Sequence, residues 1–492
     1  MSFLYISYLI GIPAFIGSFL LIFPLSNKVS KQLALGASLI SFYISILMWV
    51  FFDNNNGAFQ FVETYNWFSS SNLAITFGVD GISLFFILLT AFLIPICLLS
   101  SWSSVKTKNH LFTDRHYFAL FLLIESMIFI VFTSLDLIVF YTFFEAVLMP
   151  MFFIIGVWGS RERKIRASYL FFMYTLFGSL FILLAIVFIY IECGSTHYLM
   201  LLETSFSPER QKILWLAFFF SFAVKVPMLP VHLWLPEAHV EAPTAGSVLL
   251  AGVLLKLGTY GIIRYSLPLF PLASFYFRPF VFTLASLAVV YSSITAIRQS
   301  DIKRVIAYAS VAHINITVIG LFSFNLVGVE GAIFQMLSHG VVSGALFLCV
   351  GVLYDRHHSR LIKYYGGLVH TMPLFVILFL VFTIANIALP GTSSFVGEFL
   401  ILFGTFYANS FVAFVAATSM ILGSAYSLWL FNRLCYGNLK LQYIQVSFDI
   451  TKQEFWVFMP LLFLTIFGGI FPGIFLDPLH TSCSVLLSVF YL

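Results

Sequence analysis

The chain is built from apolar runs long enough to cross a membrane. They lie near residues 3–24, 32–52, 79–101, 116–133, 136–158, 167–191, 212–229, 243–265, 279–297, 303–323, 329–353, 371–409, 411–433 and 454–476. About eighteen apolar residues in succession read as one helix through a hydrocarbon layer about 30 Å thick. Inside that layer each backbone N–H and C=O needs a partner within the protein, which leaves helices and closed barrels as the only folds. A barrel alternates apolar and polar residues over segments of about ten, whereas these runs are continuous. The sequence therefore predicts an all-α polytopic membrane protein with about fourteen transmembrane helices. Only 9% of the 492 residues are charged, against roughly a quarter in soluble domains, and no stretch reads as a separate soluble domain.

Loop charges orient the chain, because lysine and arginine accumulate on the inner side of a membrane. With the loop around Lys28 placed inside, that side also receives Lys31, Lys106, Lys108, Arg115, Arg161, Arg163, Lys164, Arg166, Arg298, Lys303, Arg304, Arg356, Arg360, Lys363, Arg433, Lys440 and Lys452. Outer loops receive only Arg210, Lys212, Arg264 and Arg278. The asymmetry predicts fourteen spans with both ends outside. The first residues, MSFLYISYLIGIPAFIGSFLLIF, form a full span without the charged start and small-residue cleavage site of a signal peptide. Residues 53–77 make the longest outer segment, expected to fold against its neighbours.

Several function classes fall away. The five cysteines, at 97, 193, 349, 435 and 483, are scattered without a CxxC pair, which argues against an iron–sulfur or zinc site in this chain. Neither GxGxxG nor GxxxxGK[ST] occurs, so there is no nucleotide fingerprint. The net charge of +4 does not point to nucleic acid. The 61 phenylalanines fit the skewed codon usage of an organelle genome.

Two spans are interrupted. In AVKVPMLPVHLWLPEAHVEAPT, residues 223–244, Pro227 and Pro230 remove backbone donors and open the helix at Lys225. In ANIALPGTSSFVGEFL, residues 385–400, Pro390 and Gly391 do the same ahead of Glu398. Paired breaks in corresponding segments mark internal repeats in transporters. Spans 4–8 and 9–13 each make five helices with the break in the fourth, and a unit of five must enter the membrane from the opposite side the second time. The expected organisation is three N-terminal helices (1–115), a first five-helix repeat (116–266), a second, inverted repeat (267–437), and a C-terminal loop with the last helix (438–492).

Helix rise measures depth. Ten residues at about 1.5 Å reach the middle of the layer, which places Glu125, Glu145, Lys225, Lys256, His313 and His339 near mid-membrane; Glu398 lies in the second half of the broken twelfth span. Each charge there costs about 2.5–3.5 kcal/mol. One reading is a set of structural ion pairs. The other is a proton relay, because burial and neighbouring charge shift such groups until protons pass between them. His232 and His239 flank the first opened segment; a metal or haem site is weighed there and discounted, since no cysteine or carboxylate constellation accompanies them. Glu125 reads as a supporting group. Asp136 and Glu330 stand at span starts, where a helix N-terminus favours an acid.

FFEAVLMPMFFIIGVWGSRERKIRASY, FAVKVPMLPVHLWLPEAHVEAPTAGSVLLAGVLLKLGTYG, RQSDIKRVIAYASVAH, QMLSHGVVSGALFLCVGVLYDR and PGTSSFVGEFL resemble the antiporter-like subunits of mitochondrial-type respiratory NADH–ubiquinone oxidoreductase (complex I), relatives of multisubunit sodium/proton antiporters. The likeness covers nearly the whole chain. It implies fourteen helices with inverted repeats and a relay of Glu145, Lys225, Lys256, His232, His313 and His339. The relay ends at Glu398, where sister subunits carry lysine and one branch of the family carries glutamate. It further implies proton translocation across the inner mitochondrial membrane, driven by quinone reduction elsewhere. NADH, FMN, iron–sulfur clusters and ubiquinone belong to partner subunits in that picture, and none to this chain. The implied partners are other membrane-arm subunits, sister antiporter-like chains among them, with lipids, protons and internal water. A cation/proton antiporter subunit and a structural spacer remain as alternatives.

Overall fold

The computed structural model describes residues 4–68, 73–103, 112–440, 442–443 and 448–491. Lys106 and Lys108 of the inner-loop set lie outside them. The chain is almost entirely helical. In order come α1 (Tyr5–Ile22), α2 (Asn27–Val50), a hairpin of β1 (Gln60–Phe68) and β2 (Leu73–Val79), α3 (Gly81–Ser100) and α4 (Asp114–Thr133). Next are α5 (Leu137–Trp158), with a turn at Val147, and α6 (Lys164–Cys193). Then follow α7 (Pro208–Lys225) and α8 (Trp234–Glu241), α9 (Thr244–Leu269), and α10 (Pro271–Ile297), α11 (Ile302–Leu321) and α12 (Leu326–His357). The last are α13 (Pro373–Asn386), α14 (Ser393–Ala408), α15 (Ser410–Cys435), α16 (Lys452–Ile470) and α17 (Gly473–Tyr491).

Among the described residues thirteen helices are long and apolar enough to cross a membrane. One of these, α17, does not cross. Its first turns put Phe475 against Trp49 and Phe85, its middle joins Gly81 N–H to Ser482 Oγ (2.9 Å) and Thr481 Oγ1 to Asn54 O (2.9 Å), and Phe490 stacks on Phe324. All these partners sit at the outer ends of α2, α3, α11 and α12 or in the outer loop. A crossing helix would end on the opposite face; α17 lies along one. Setting it aside, and counting α7 with α8 and α13 with α14 as interrupted crossings, leaves the fourteen that the apolar runs predict.

The hairpin replaces what reads in the sequence as an outer loop. β1 and β2 pair antiparallel, and Glu63 on β1 accepts the N–H groups of Ile6 (3.0 Å) and Ser7 (3.1 Å). Leu4 offers no side-chain cap at the start of α1, so a carboxylate from another element satisfies donors the helix itself leaves open.

α9 runs through the centre, buried along its whole length, with α3, α7 and α12 packed round it. α1, α2, α6, α10, α15 and α16 carry the outward-facing apolar surface. Within α9, π-helical segments at Leu250–Leu254 and Ile262–Ser266 flank Lys256, an arrangement frequent at functional positions.

Candidate functional site

Lys225 is the last residue of α7. The break behind it frees carbonyls that an unbroken helix would bond four residues on. Met228 N–H returns to Ala223 O (2.9 Å), and the indole of Trp234, the first residue of α8, takes Val224 O (2.9 Å). The Lys225 ammonium is buried; it donates to Phe144 O at 3.0 Å and sits 3.9 Å from the centroid of the Phe144 ring. Glu145 Oε1 lies 4.0 Å from it. That is an ion pair at its outer limit of contact, held by electrostatics rather than by a hydrogen bond.

Lys256 stands just past the first π segment. Wider winding there leaves the Ala251 carbonyl free, and the Lys256 ammonium takes it. On its other side Lys256 Nζ lies 3.0 Å from His339 Nδ1 on α12. The His339 ring centre is 5.8 Å from that of His313 on α11, and His313 Nδ1 is 2.8 Å from Glu398 Oε1 on α14. Gln335 Nε2 donates to the same carboxylate oxygen at 3.0 Å, and Gln335 Oε1 accepts from Ser338 Oγ at 2.9 Å. One buried polar line thus runs Lys256–His339–His313–Glu398 across four helices. Glycine makes two close approaches possible, one on this line and one beside Lys225. A Cβ on Gly397 would fall 2.6 Å from Gln335 Oε1, and one on Gly258 would fall 3.0 Å from Lys225 Cβ, where α7 and α9 meet.

Two candidates stand apart. Glu125 on α4 is buried against α2, where Ser41 Oγ donates to its Oε1 at 2.5 Å. His232, in the opened segment, lies edge-on to Tyr291 and Tyr308 and shares no hydrogen bond with the other candidates. Asp136 and Glu330 are bound at helix starts. Asp136 accepts Ile138 N–H, Val139 N–H and Thr196 Oγ1, with burial as the main influence raising its carboxyl pKa, and Glu330 meets His480 of α17 at 2.8 Å.

Charges counted as loop residues prove to be interior. Lys303 donates to Ala242 O (2.7 Å) and Ser247 Oγ (2.9 Å), and Ser247 Oγ bonds His239 O (3.1 Å). His239 stacks on Phe347, ring centroids 4.7 Å apart, with neither ring nitrogen hydrogen-bonded and with Lys303 and Lys256 as its charged neighbours. Arg360, buried in the loop after α12, bonds Val240 O and lies 3.8 Å from Asp301 and 4.0 Å from Glu241; burial lowers its pKa and those acids oppose the shift. At the outer side Arg264 is no loop residue either. It lies within α9, paired with Asp80 at 2.6 Å.

Residues 134–429, which hold seven of the eight candidates, match the family model for the transmembrane part of NADH:quinone oxidoreductase and Mrp antiporter subunits. The chain belongs to this family. It is 55% identical to NADH-ubiquinone oxidoreductase chain 4 of Marchantia polymorpha over 98% of its own length and 97% of the relative's, and 55% identical to chain 4 of Arabidopsis thaliana over 96% and 95%. The fold superposes on a subunit of respiratory complex I from Thermus thermophilus, with a TM-score of 0.89, 28% identity and full coverage of both chains. A chain of the Mrp complex from Dietzia sp. shares the fold, with a TM-score of 0.87, 18% identity and coverage of 99% and 100%.

Proposed function

We propose that this chain is a proton-translocating membrane subunit of NADH–ubiquinone oxidoreductase and that Glu145, Lys225, Lys256, His339, His313 and Glu398 carry the proton's charge along the membrane. The observation that carries the reading is the buried Lys256–His339–His313–Glu398 line, whose two outer links lie at hydrogen-bond distance and whose central link is the 5.8 Å approach of the two imidazole rings. Its members are the side-chain types that give and take protons, set at or near hydrogen-bond distance. An added proton on His339 repels the charge on Lys256, and one on His313 strengthens its pairing with Glu398, so each transfer biases the next. Moving one charge against the membrane potential requires about 2.3 kcal/mol per 100 mV. In this reading the energy arrives through contacts with neighbouring membrane-arm subunits, while NADH, FMN, iron–sulfur clusters and ubiquinone act on partner chains. The setting is the inner mitochondrial membrane.

Glu125 supports α4 against α2 in this scheme, and His232 lines the break beside α10 and α11. The test is Lys256→Met in the assembled complex, reconstituted into vesicles. The expected result is loss of most NADH-driven proton uptake with the complex intact. Unchanged protons per electron would refute the relay. A cation/proton antiporter would instead drive protons against a sodium or potassium gradient without NADH, which the same vesicles measure.

A further inference from the structure

We propose that the Arg264–Asp80 ion pair is a fixed electrostatic barrier that closes the outer end of α9 to protons, an assignment that rests on the relay reading above. Lys256, Tyr260 and Arg264 follow one another at four-residue intervals, so they stack along one stripe of α9 running from the polar line toward the outer face. Eight residues at about 1.5 Å separate Lys256 from Arg264 by roughly 12 Å. Arg264 Nη2 donates to Asp80 Oδ1 at 2.6 Å, and Arg264 Nε donates to Tyr260 Oη at 3.2 Å. Tyr260 in turn donates to Phe132 O at 2.9 Å. The guanidinium is ringed by Phe59, Tyr260 and Tyr198, with ring centres at 5.0, 5.4 and 5.7 Å. Asp80 is itself held as the N-cap of α3, accepting Ser83 N–H at 2.9 Å.

The two ends of this stripe differ in kind. Toward the inner face stand the Lys303 ammonium, bound to Ser247 Oγ, and the unbonded His239 ring, groups that release and accept protons, with the Arg360 guanidinium beside them on Val240 O and facing Asp301 and Glu241. Toward the outer face stands a guanidinium, which does not deprotonate in proteins and offers no acceptor. It cannot pass a proton on, and its hydrogen bond takes the Asp80 carboxylate oxygen that could otherwise accept one, so the pair holds this end shut; a fixed arginine is one device by which channels exclude protons. A simple clamp between α3 and α9 would need neither permanent charge nor a position on the Lys256 stripe.

The experiment is Arg264→Met combined with Asp80→Asn, so that no buried charge is orphaned, in the assembled complex in proteoliposomes. With turnover stopped by a quinone-site inhibitor, the imposed proton gradient should decay faster than in the unsubstituted complex, and uncoupler stimulation of NADH oxidation should be lost. Arg264→Lys keeps a partner for Asp80 but supplies a group that can release its proton; an intermediate decay rate is expected. Equal proton retention in all three overturns the barrier, and failure of both variants to assemble makes the pair a structural clamp, which also overturns it. Lys256→Met run in parallel separates the two levels. Where it silences pumping while the double variant stays tight, only the barrier falls. Where it pumps normally, the relay reading falls and takes the barrier with it.

Discussion

Lys225 and Glu145 are expected to fail as a unit. At 4.0 Å two unit charges attract by about 4 kcal/mol at an effective dielectric constant of about 20. Since about 1.4 kcal/mol is a factor of ten, losing that attraction lowers the population of the ionised pair roughly a thousandfold. Lys225→Met leaves Glu145 without its cation in a low-dielectric setting. Glu145→Gln leaves the ammonium with the Phe144 carbonyl and ring, worth about 2 kcal/mol when desolvated, which does not replace the lost ion pair. Each substitution should therefore abolish most pumping, and the double substitution should be no worse than the worse single. The assay is a double-mutant cycle on quinone-reductase rate and proton uptake in reconstituted vesicles. If the two losses simply multiply, the residues act independently and the coupling argument is wrong, whatever each contributes alone.

Glu398→Gln should slow NADH-driven pumping while the complex still assembles, because the amide keeps the Gln335 contact but not the charge facing His313; unchanged stoichiometry and turnover would take Glu398 off the path. Gly397→Ala should push Gln335 away from Glu398 and reproduce part of that loss, measured by the same proton-to-electron ratio. Gly81→Ala places a Cβ 2.1 Å from Pro478 O, so α17 must shift, at about 1–3 kcal/mol, seen as a lower unfolding temperature of the complex. Asp136→Asn keeps the acceptor for the two amides of α5 and removes a carboxyl whose pKa burial raises. A raised folded pKa means the charged form is the disfavoured one, so at neutral pH the substitution should leave thermal stability equal or higher, and coupling unchanged.

The apolar runs and the two proline breaks were legible because hydrocarbon leaves a continuous apolar run no alternative to a helix and proline leaves no donor. Mid-depth Lys225, Lys256 and Glu398 were legible for the same reason: charge there is costly enough to need a purpose. Other features left weaker signals. Residues 60–68 and 73–79 mix aromatic and polar side chains that read as loop, and only their pairing makes them strands. Pro472-Gly473 turns the chain into α17, whose DPLHTS stretch masks an apolar face. Arg264 and Lys303 stand where hydropathy falls, so position alone assigned them to loops; tertiary cover from Asp80, Ser247 and the Arg360 loop is what makes them interior. Gln335 is neutral, and a search for ionisable groups passes over it although it touches Glu398. The π segments of α9 have no residue signature at all.

Those segments bear on how the gene can vary. A π turn accommodates one residue more than an α turn over the same rise, so Leu250–Leu254 is the one place in the first half of α9 where losing a codon leaves a regular helix. Such a deletion would preserve the reading frame, the hydropathy and the length needed to span the bilayer. The side chains beyond it would keep their directions, so Lys256 would still face His339 and Arg264 would still face Asp80, but the winding that brings the Ala251 carbonyl to the Lys256 ammonium would be lost. A single-codon deletion in a stretch of Leu, Ala, Gly and Val, invisible to composition, would thus take one of the lysine's two partners without moving it off the line, whereas the same deletion one turn later would turn every following side chain by about 100°.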